Sequence, residues 1–258
     1  MFARERKEAL LLYMRQHKKA GIQELSAEFG VTGATIRTDL REMEKQGILI
    51  RTHGGAILNQ EEVEKESQLH LRRRIYSEQK RQIGSLARQF VREGDIILVD
   101  SGTTMVEFAS GLINFEKLKV VTNDLTIALE LQKSLTIEVV LIGGDVRNRF
   151  ECTIGAFGTE FLKQISVDKI FLSPNALSLE KGLTTPNEET AAMKRAMIQT
   201  ASEGYILCDS SKIGKKNFCK FADLNEFSYL ITDSGISGHD RKALEQEGLH
   251  VFVCEGEY

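Results

Sequence analysis

The first sixty residues alternate between short segments with apolar residues at helical spacing and the turn residues that interrupt them. Residues 5–14 form an amphipathic segment that predicts a helix stopped by Gly21. Residues 22–29 predict a second helix, and residues 30–32 a tight turn. A third helix is predicted over residues 33–47, closed by its last glycine. Three short helices with a tight turn before the third are typical of a helix-turn-helix.

After the third helix, the hydrophobic pattern changes to two short apolar runs. Residues 48–50 and 56–58 are apolar and flank Gly54-Gly55, which is a hairpin signal. Thr32, just before the third helix, is a good N-cap candidate because its hydroxyl can accept a free backbone N–H of the first turn. Three helices followed by a hairpin predict a winged helix-turn-helix.

From Gly94 onwards, near-continuous runs of Val, Ile and Leu alternate with helix-like segments, and an amphipathic helix over residues 77–92 leads into this region. Such runs are typical of strands buried on both faces of a parallel sheet. The alternation predicts an α/β fold with an open, doubly wound, mostly parallel sheet. The predicted strands lie at 95–100, 119–122, 138–142, 169–173, 204–209, 228–232 and 250–254, and the helices between them at 103–112, 124–133, 157–165, 187–203 and 239–247.

Length and composition fit a protein of two domains. The chain has 258 residues, of which 41% are hydrophobic and 28% charged. We expect a winged helix-turn-helix at residues 1–58, a charged linker at 59–76 and an α/β domain at 77–258. No stretch approaches the roughly 20 apolar residues of a membrane span. The charged N-terminus is unlike a signal peptide, so we expect a cytoplasmic protein.

Charge is distributed unevenly along the chain. Residues 1–58 carry a net charge of +3, whereas residues 59–258 carry −6. A basic end on an acidic body is typical of an end that approaches phosphates. Because the excess is only three charges, it identifies a nucleic-acid binder only together with other signals.

The four cysteines give no strong signal for a metal site or a disulfide. Cys152, Cys208, Cys219 and Cys254 form no C-x-x-C pair, and no histidine lies at zinc-ligand spacing from them. We therefore expect reduced, mostly buried thiols, with no metal and no cofactor.

The third predicted helix carries side chains suited to reading DNA. In a helix-turn-helix, the N-terminal residues of the motif's second helix contact base edges in the major groove. Ile36 and Leu40 should pack inwards, whereas Arg37 and Arg41 share the outward face. An arginine can bind a guanine or a phosphate. The candidate DNA-binding residues are Thr32, Gly33, Ala34, Thr35, Arg37, Thr38 and Arg41 on this helix, and Arg51 and His53 on the wing.

A helical hairpin that binds another protein is the alternative for this region, because single helix-turn-helix patterns are not specific. The order of amphipathic helix, turn, arginine-bearing helix and Gly-Gly wing favours DNA. The glycines at 54–55 permit both a tight turn and a close approach to DNA. Double-stranded DNA is therefore the expected partner.

Polar and glycine-rich loops follow five of the predicted strands. In open α/β sheets, ligands bind beyond the carboxyl ends of the strands. The loop at 100–104 leads into a helix and offers backbone N–H groups and two threonine hydroxyls, which favours a phosphate. Each loop alone is consistent with a helix cap, a tight turn or a surface ion pair, but their convergence favours an anionic ligand. The other loops lie at 122–124, 143–147, 173–175 and 209–212.

The N-terminal motif resembles that of the DeoR family of bacterial sugar-metabolism regulators. The family typically shows Val-Ser, then Thr-Ile-Arg-Arg-Asp-Leu, and later Arg-x-His-Gly-Gly-Ala. Thr38 stands where the family has its second arginine, which removes a cation from the predicted groove face, so we expect it to alter base preference. The matching segments are Val31-Thr32, Thr35-Ile36-Arg37-Thr38-Asp39-Leu40 and Arg51-Thr52-His53-Gly54-Gly55-Ala56.

The resemblance covers nearly the whole chain, and the family's sensor domain resembles sugar-phosphate isomerases of the ribose-5-phosphate isomerase type. It implies that residues 101–104 hold a phosphate supported by Lys212 and Arg147, while Asn123 and Asn175 face sugar hydroxyls. Residues 172–177 depart from the glycine-rich form usual there. The matching segments are 100–104, 122–123, 143–144, 182–185 and 209–212. The implied effector-binding residues are Asp100, Ser101, Gly102, Thr103, Thr104, Thr122, Asn123, Gly143, Gly144, Arg147, Asn175 and Lys212.

A sugar-phosphate isomerase with a DNA-binding appendage is the alternative from another functional class. Such isomerases carry an acidic loop that would fall near residues 173–177, where this chain has no carboxylate. Glu188, Glu189 and Lys194 could act as acid or base, but such residues more often form a solvated helix face. We therefore expect no enzymatic activity.

The resemblance implies a repressor of a carbohydrate-utilisation operon whose DNA affinity is controlled by a phosphorylated sugar. One helix-turn-helix reads few base pairs, so we expect a homo-oligomer, either a dimer or a tetramer. The linker at 59–76 would pass effector binding on to the DNA-binding heads. No residue excludes the opposite sign of regulation.

Overall fold

The computed structural model describes residues 6–7, 9–10, 13–14, 17, 19–45, 49–52, 54–58, 75–148 and 150–254. The chain divides into two units, Met1–Leu71 and Arg72–Tyr258. Almost all of the predicted linker lies outside the described residues, so the borders predicted at 58 and 76 stay predictions. No helix among the described residues is long and apolar enough to cross a membrane.

The N-terminal unit combines helices with a small antiparallel sheet, as predicted for a winged helix-turn-helix. The described positions between 6 and 17 are helical. They are followed by strand β1 (Lys19–Gly21), helix α1 (Ile22–Phe29), helix α2 (Gly33–Lys45) and strands β2 (Leu49–Thr52) and β3 (Gly55–Leu58). The predicted closing glycine, Gly47, lies outside the described residues. The core of this unit contains Leu10, Met14, Ala20, Leu25, Ile36, Leu40, Met43, Leu49 and Ala56.

The prediction that Gly21 stops the first helix is wrong. Lys19–Gly21 is an extended strand that pairs antiparallel with β3, with Gly21 opposite Gly55. A Cβ at Gly55 would lie 2.1 Å from the carbonyl oxygen of Ala20. Gly55 is therefore required by the close approach of β1, whereas a Cβ at Gly54 would meet open space. From the sequence, both glycines were predicted to permit the tight turn of the wing and its close approach to DNA.

The C-terminal unit is built on a seven-stranded, fully parallel sheet. Its strands are β4 (Ile96–Val99), β5 (Leu118–Thr122), β6 (Ile137–Leu141), β9 (Val167–Leu172), β12 (Ala201–Leu207), β14 (Tyr229–Thr232) and β15 (His250–Val253). Their order across the sheet is β15-β14-β12-β9-β4-β5-β6. All seven predicted strands are present, and the predicted α/β class is confirmed. The strand order reverses between the neighbours β4 and β9, which is where open sheets form a crevice for ligands.

Both faces of this sheet are buried because alternate residues of its strands enter two separate cores. In β4, Leu98 belongs to one core while Ile97 and Val99 belong to the other. Helices cover the two faces, as the continuous apolar runs predicted. The helices are α3 (Ser77–Ala87), α4 (Thr103–Ser110), α5 (Leu125–Leu131), α6 (Ala156–Leu162), α7 (Glu188–Ile198) and α8 (Gly238–Gln246).

The predicted helix over 187–203 is too long. Helix α7 ends at Ile198, and β12 begins at Ala201. The start of β12 reads Ala-Ser-Glu-Gly, which has no apolar run. The hydrophobic pattern therefore does not indicate where α7 ends and β12 begins. Gln199 and Thr200 form the turn between the helix and the strand.

Two small antiparallel sheets were not predicted, and both follow the carboxyl ends of sheet strands. Strands β7 (Asp145–Arg147) and β8 (Cys152–Ile154) form a hairpin after β6. Strands β10 (Ala176–Ser178), β11 (Gly182–Thr185) and β13 (Cys219–Ala222) form the second sheet.

Replacement of Gly84 by alanine should destabilise the C-terminal unit, although alanine normally favours a helix by about 1 kcal/mol over glycine. A Cβ on Gly84 would lie 2.7 Å from the backbone nitrogen of Phe108 in α4. We expect the free energy of unfolding to fall by roughly 1–3 kcal/mol, the usual range for overpacking. The measurement is urea unfolding followed by circular dichroism.

Ser85→Ala is the matched control, because Ser85 is the next residue of α3 and is exposed. It should leave stability unchanged or raise it slightly. A Gly84→Ala variant as stable as Ser85→Ala would contradict the close contact between α3 and α4.

Candidate functional site

Helix α2 presents the predicted row of side chains on its exposed face. Ala34, Arg37, Thr38 and Arg41 are exposed, whereas Ile36 and Leu40 are buried in the core. Among the described residues, Arg37 and Arg41 form no ion pair, so both guanidinium groups are available to an external anion. Gly33 and Thr35 are half-buried at the start of the helix.

The start of α2 is capped as predicted. The backbone N–H of Thr35 donates to Oγ1 of Thr32 at 3.3 Å, and the two threonine hydroxyls lie 3.0 Å apart. One turn later, Oγ1 of Thr38 donates to the carbonyl oxygen of Ala34 at 3.1 Å. Hydroxyl groups thus lie along the N-terminal part of the exposed face.

A buried ion pair fixes α2 against the N-terminal helical segment. Nε of Arg6 donates to Oδ2 of Asp39 at 2.6 Å, and Nη2 donates to Oδ1 at 3.2 Å. Asp39 is 3% exposed. An exposed ion pair between Lys7 and Glu42 lies on the same side of the helix. Because a bidentate pair restricts orientation as well as distance, it sets which residues of α2 face outwards.

On the wing, Arg51 contacts an acidic side chain of α2. The guanidinium of Arg51 lies 3.5 Å from the carboxylate of Glu44, and its backbone N–H donates to the same side chain at 3.1 Å. Part of its charge is therefore neutralised within the unit. His53 lies outside the described residues.

In the C-terminal unit, the switch point between β4 and β9 contains a buried ion pair. The ammonium group of Lys194 donates to Oδ2 of Asp100 and, at 3.0 Å, to the carbonyl oxygen of Ser173. The backbone N–H of Ser173 also donates to Asp100, at 3.2 Å. Asp100 and Lys194 are 1% and 3% exposed. The interpretation of Lys194 as part of a solvated helix face is wrong, although Glu188 and Glu189 are exposed as that interpretation requires.

The burial of Lys194 has a signal in the sequence. Ala191 and Met197 lie three residues before and after it and are both buried, so Lys194 falls on the apolar side of α7. A lone lysine on an apolar face indicates a buried partner of opposite charge.

Lys212 reaches the same switch point from the loop after β12. Its ammonium group donates to Oγ of Ser173 at 3.1 Å and lies 3.7 Å from the carboxylate of Asp209. Ser173 thus contacts Asp100, Lys194 and Lys212 through three different atoms. The side chain of Lys212 is 22% exposed, so its charge remains partly accessible to a ligand.

The loop from Ser101 to Thr104 lies at the amino end of α4. Gly102 has φ of 134°, which disfavours any other residue, and its N–H donates to Oδ2 of Asp124 at 3.2 Å. Ser101, Gly102 and Thr103 are half-buried, and Thr104 is buried. The loop offers backbone N–H groups and hydroxyls at the positive end of a helix dipole.

Asp124 and Cys152 also lie at this edge. Asp124 belongs to the predicted polar loop at 122–124, but neither residue was among the predicted effector-binding residues. Asp124 caps α5 by accepting from the N–H groups of Thr126 and Ile127. Burial raises the pKa of Asp124 from 3.8 to about 6, opposed by its backbone hydrogen bonds and assisted by the charge of Asp100. Burial likewise raises the pKa of the Cys152 thiol, which a hydrogen bond with Ser101 partly offsets. All four cysteines are free.

Three buried polar atoms near this edge of the sheet have no hydrogen-bond partner among the described residues. They are Oγ1 of Thr104, Oδ1 of Asn123 and Oγ1 of Thr232, the last residue of β14. The amide nitrogen of Asn123 is occupied, since it donates to the carbonyl oxygen of Thr153 at 2.8 Å. Buried polar groups are nearly always paired, so these atoms require a partner from outside the chain, either water or a ligand.

The remaining predicted effector residues surround this edge. Thr122 is buried, and its hydroxyl accepts from the N–H of Asp124. Gly143 and Gly144 are exposed between β6 and β7. Arg147 donates to Oγ1 of Thr190 in α7 at 3.1 Å and lies over the ring of Phe150. Oδ1 of Asn175 accepts from the hydroxyl of Thr185 at 2.8 Å.

Two family models match the chain. A DeoR-like helix-turn-helix domain matches residues 6–62, and a DeoR C-terminal sensor domain matches residues 75–234. The chain is 35% identical to the HTH-type transcriptional regulator GlpR of Haloferax volcanii, over 97% of this chain and 98% of that protein. It is 34% identical to the HTH-type transcriptional repressor GlcR of Bacillus subtilis, over 99% of this chain and 98% of that protein.

Among solved structures, the chain is similar to ribose 5-phosphate isomerase A of Methanocaldococcus jannaschii. The TM-score is 0.40 at 16% identity, over 54% of this chain and 55% of that chain. It is also similar to eIF2B beta of Chaetomium thermophilum, with a TM-score of 0.43 at 12% identity, over 67% of this chain and 54% of that chain. Such partial overlaps carry no conclusion about chemistry.

The raised pKa of Asp124 predicts a specific dependence of stability on pH. Between about pH 4 and pH 6, the folded state keeps a proton that the unfolded state releases, so rising pH favours unfolding. We expect this residue to lower the free energy of unfolding by roughly 3 kcal/mol across that window and to add no further change above it. Asp124→Asn keeps the capping oxygen and should remove this contribution.

The measurement is urea unfolding of both proteins from pH 4 to pH 7, read as the difference between them. Asp168→Asn controls for loss of one carboxylate, because Asp168 is exposed and also accepts a backbone N–H, from Ile96. Parallel curves for wild type and Asp124→Asn would refute the prediction.

Proposed function

The chain belongs to the DeoR family of transcriptional regulators, and we propose that it represses a carbohydrate-utilisation operon under the control of a phosphorylated sugar. DNA-binding regulation follows from the family, whose matched relatives are regulators rather than enzymes. The observation that supports the effector is the convergence of Lys212, the loop at 101–104 and the unpaired atoms of Asn123 and Thr104 at one switch point.

On the DNA side, we propose that α2 enters the major groove with its exposed face towards the bases. Arg37 and Arg41 have no internal partner among the described residues and would bind guanine or phosphate. The residues at the helix start, from Thr32 to Thr35, would contact base edges, as the N-terminal residues of a recognition helix do. Arg51 and His53 would contact the DNA backbone or minor groove from the wing.

On the effector side, we propose that a phosphate binds the N–H groups and hydroxyls of residues 101–104, supported by the cations of Lys212 and Arg147. Asn123 and Asn175 would then face the sugar hydroxyls. Thr122 and the glycines at 143–144 would form part of the wall of the effector site. Asp100 has a positioning role in this proposal, because its carboxylate is already held by Lys194 and Ser173.

Control of DNA binding requires that the effector bind the DNA-free and DNA-bound proteins with different affinity. We propose a dimer or tetramer, because paired half-sites multiply the modest affinity of one helix-turn-helix. The segment at 59–76 would then connect each sensor to its DNA-binding head.

Replacement of Arg37 by alanine should weaken DNA binding about tenfold or more, the cost of losing one bidentate base contact or a phosphate contact. The measurement is fluorescence anisotropy with a site selected from random DNA by the full-length protein, repeated over a range of salt concentrations. Loss of a phosphate contact lowers the salt slope by about one, whereas loss of a base contact lowers selectivity.

Arg241→Ala is the matched control, since Arg241 pairs with Glu245 on α8 in the other unit. It should leave affinity and salt slope unchanged. Equal binding by Arg37→Ala and wild type would exclude the proposed face of α2.

One phosphorylated sugar should raise the melting temperature of the protein in a dose-dependent way, while its unphosphorylated parent should not. A panel of aldose and ketose phosphates of three to six carbons, each with its parent sugar, tests this by thermal shift. Thr103→Ala and Lys212→Ala should abolish the stabilisation, because both remove groups assigned to the phosphate.

Lys215→Ala provides the control, since Lys215 is an exposed cation three residues along the same loop. It should preserve the stabilisation. If the protein binds DNA selectively but no phosphorylated sugar stabilises it, the proposed effector is refuted and the proposed DNA-binding function is retained.

A further inference from the structure

The exposed face of α2 carries a short uncharged side chain between its two arginines. Thr38 directly follows Arg37 and precedes Arg41 by three residues, and all three are exposed. Ala34 lies one helical turn before Thr38 on the same face and is also exposed. This part of the face is therefore short and neutral, while both of its neighbours are long cations.

The hydroxyl of Thr38 is already engaged within the helix. Its Oγ1 donates to the carbonyl oxygen of Ala34 at 3.1 Å, so its single proton cannot at the same time be donated to a base. The staggered bonds of Cβ direct the γ-methyl away from the hydroxyl and from that carbonyl. Thr38 and Ala34 thus offer methyl groups, rather than hydrogen-bond donors, to a partner on this face.

We propose that Thr38 reads the 5-methyl group of a thymine in the major groove, with the methyl group of Ala34 beside it. Thymine is the only unmodified base that presents a methyl group there, and an apolar side chain is its complement. A guanine would leave its O6 and N7 without the donors that an arginine at this position would supply. The inference rests on the proposal that α2 enters the major groove, and it assigns a base to the position where the family motif has arginine.

Removal of a single methyl group from the DNA tests the contact directly. The operator is first selected from random DNA with the full-length protein, and each thymine is then replaced by uracil, one position at a time. Uracil pairs identically and lacks only the methyl group. We expect one position in each half-site at which uracil weakens binding threefold to fivefold, as for one buried methyl group.

Two variants identify the side chain that meets this methyl group. Thr38→Ser keeps the hydroxyl and lacks the γ-methyl, so it should bind the thymine and uracil sites equally. Thr38→Val keeps a γ-methyl and lacks the hydroxyl, so it should retain the full preference for thymine. Together with the base replacement, Thr38→Ser forms a double-mutant cycle between two methyl groups.

The proposal is overturned if no thymine replacement weakens binding, or if Thr38→Ser keeps the preference for thymine. Arg37→Ala separates this result from failure of the groove assignment. Loss of affinity in Arg37→Ala together with no effect of uracil refutes only the thymine contact. Undiminished affinity in Arg37→Ala refutes the groove assignment and the thymine contact with it.

Discussion

The buried ion pair between Asp100 and Lys194 is the interaction on which the polar edge of the large sheet depends. Two charges removed from water are costly unless each also completes its hydrogen bonds. Ser173 supplies these bonds, with its N–H donating to Asp100 and its carbonyl oxygen accepting from Lys194. Because Asp100 directly follows β4 and Ser173 directly follows β9, the pair holds the two strands together where the strand order reverses.

The hydrogen bonds of this ion pair also connect it to the partly exposed groups of the site, Lys212 and the loop at 101–104. The hydroxyl of Ser173 holds Lys212, and the backbone of residues 101–104 continues directly from Asp100. Asp124 then receives the N–H of Gly102 and caps α5, so the loops after β4 and β5 are connected as well. A ligand that bound the loop or Lys212 would therefore contact a network that joins the ends of β4, β5 and β9 to α7.

Secondary structure was most predictable from the sequence for elements that are buried on one face or on both. The seven strands were predictable because strands buried on both faces are continuous apolar runs, and the exposed face of α2 followed from helical spacing. Strand β1, by contrast, reads Lys-Ala-Gly and is extended only because β3 lies beside it. Lys194 and Asp124 were misassigned or missed because their burial depends on partners 94 and 22 residues away along the chain. Contacts of that kind override local pattern.

The pairing of β1 with β3 dictates the order in which the N-terminal unit can form during synthesis. Lys19 lies opposite Ile57, and Gly21 lies opposite Gly55. Helices α1 and α2 consist of local contacts, whereas this sheet joins residues more than thirty positions apart and closes late. A nascent chain cannot complete it until residue 57 has left the ribosomal exit tunnel, so α1 and α2 emerge before the sheet that holds the unit together.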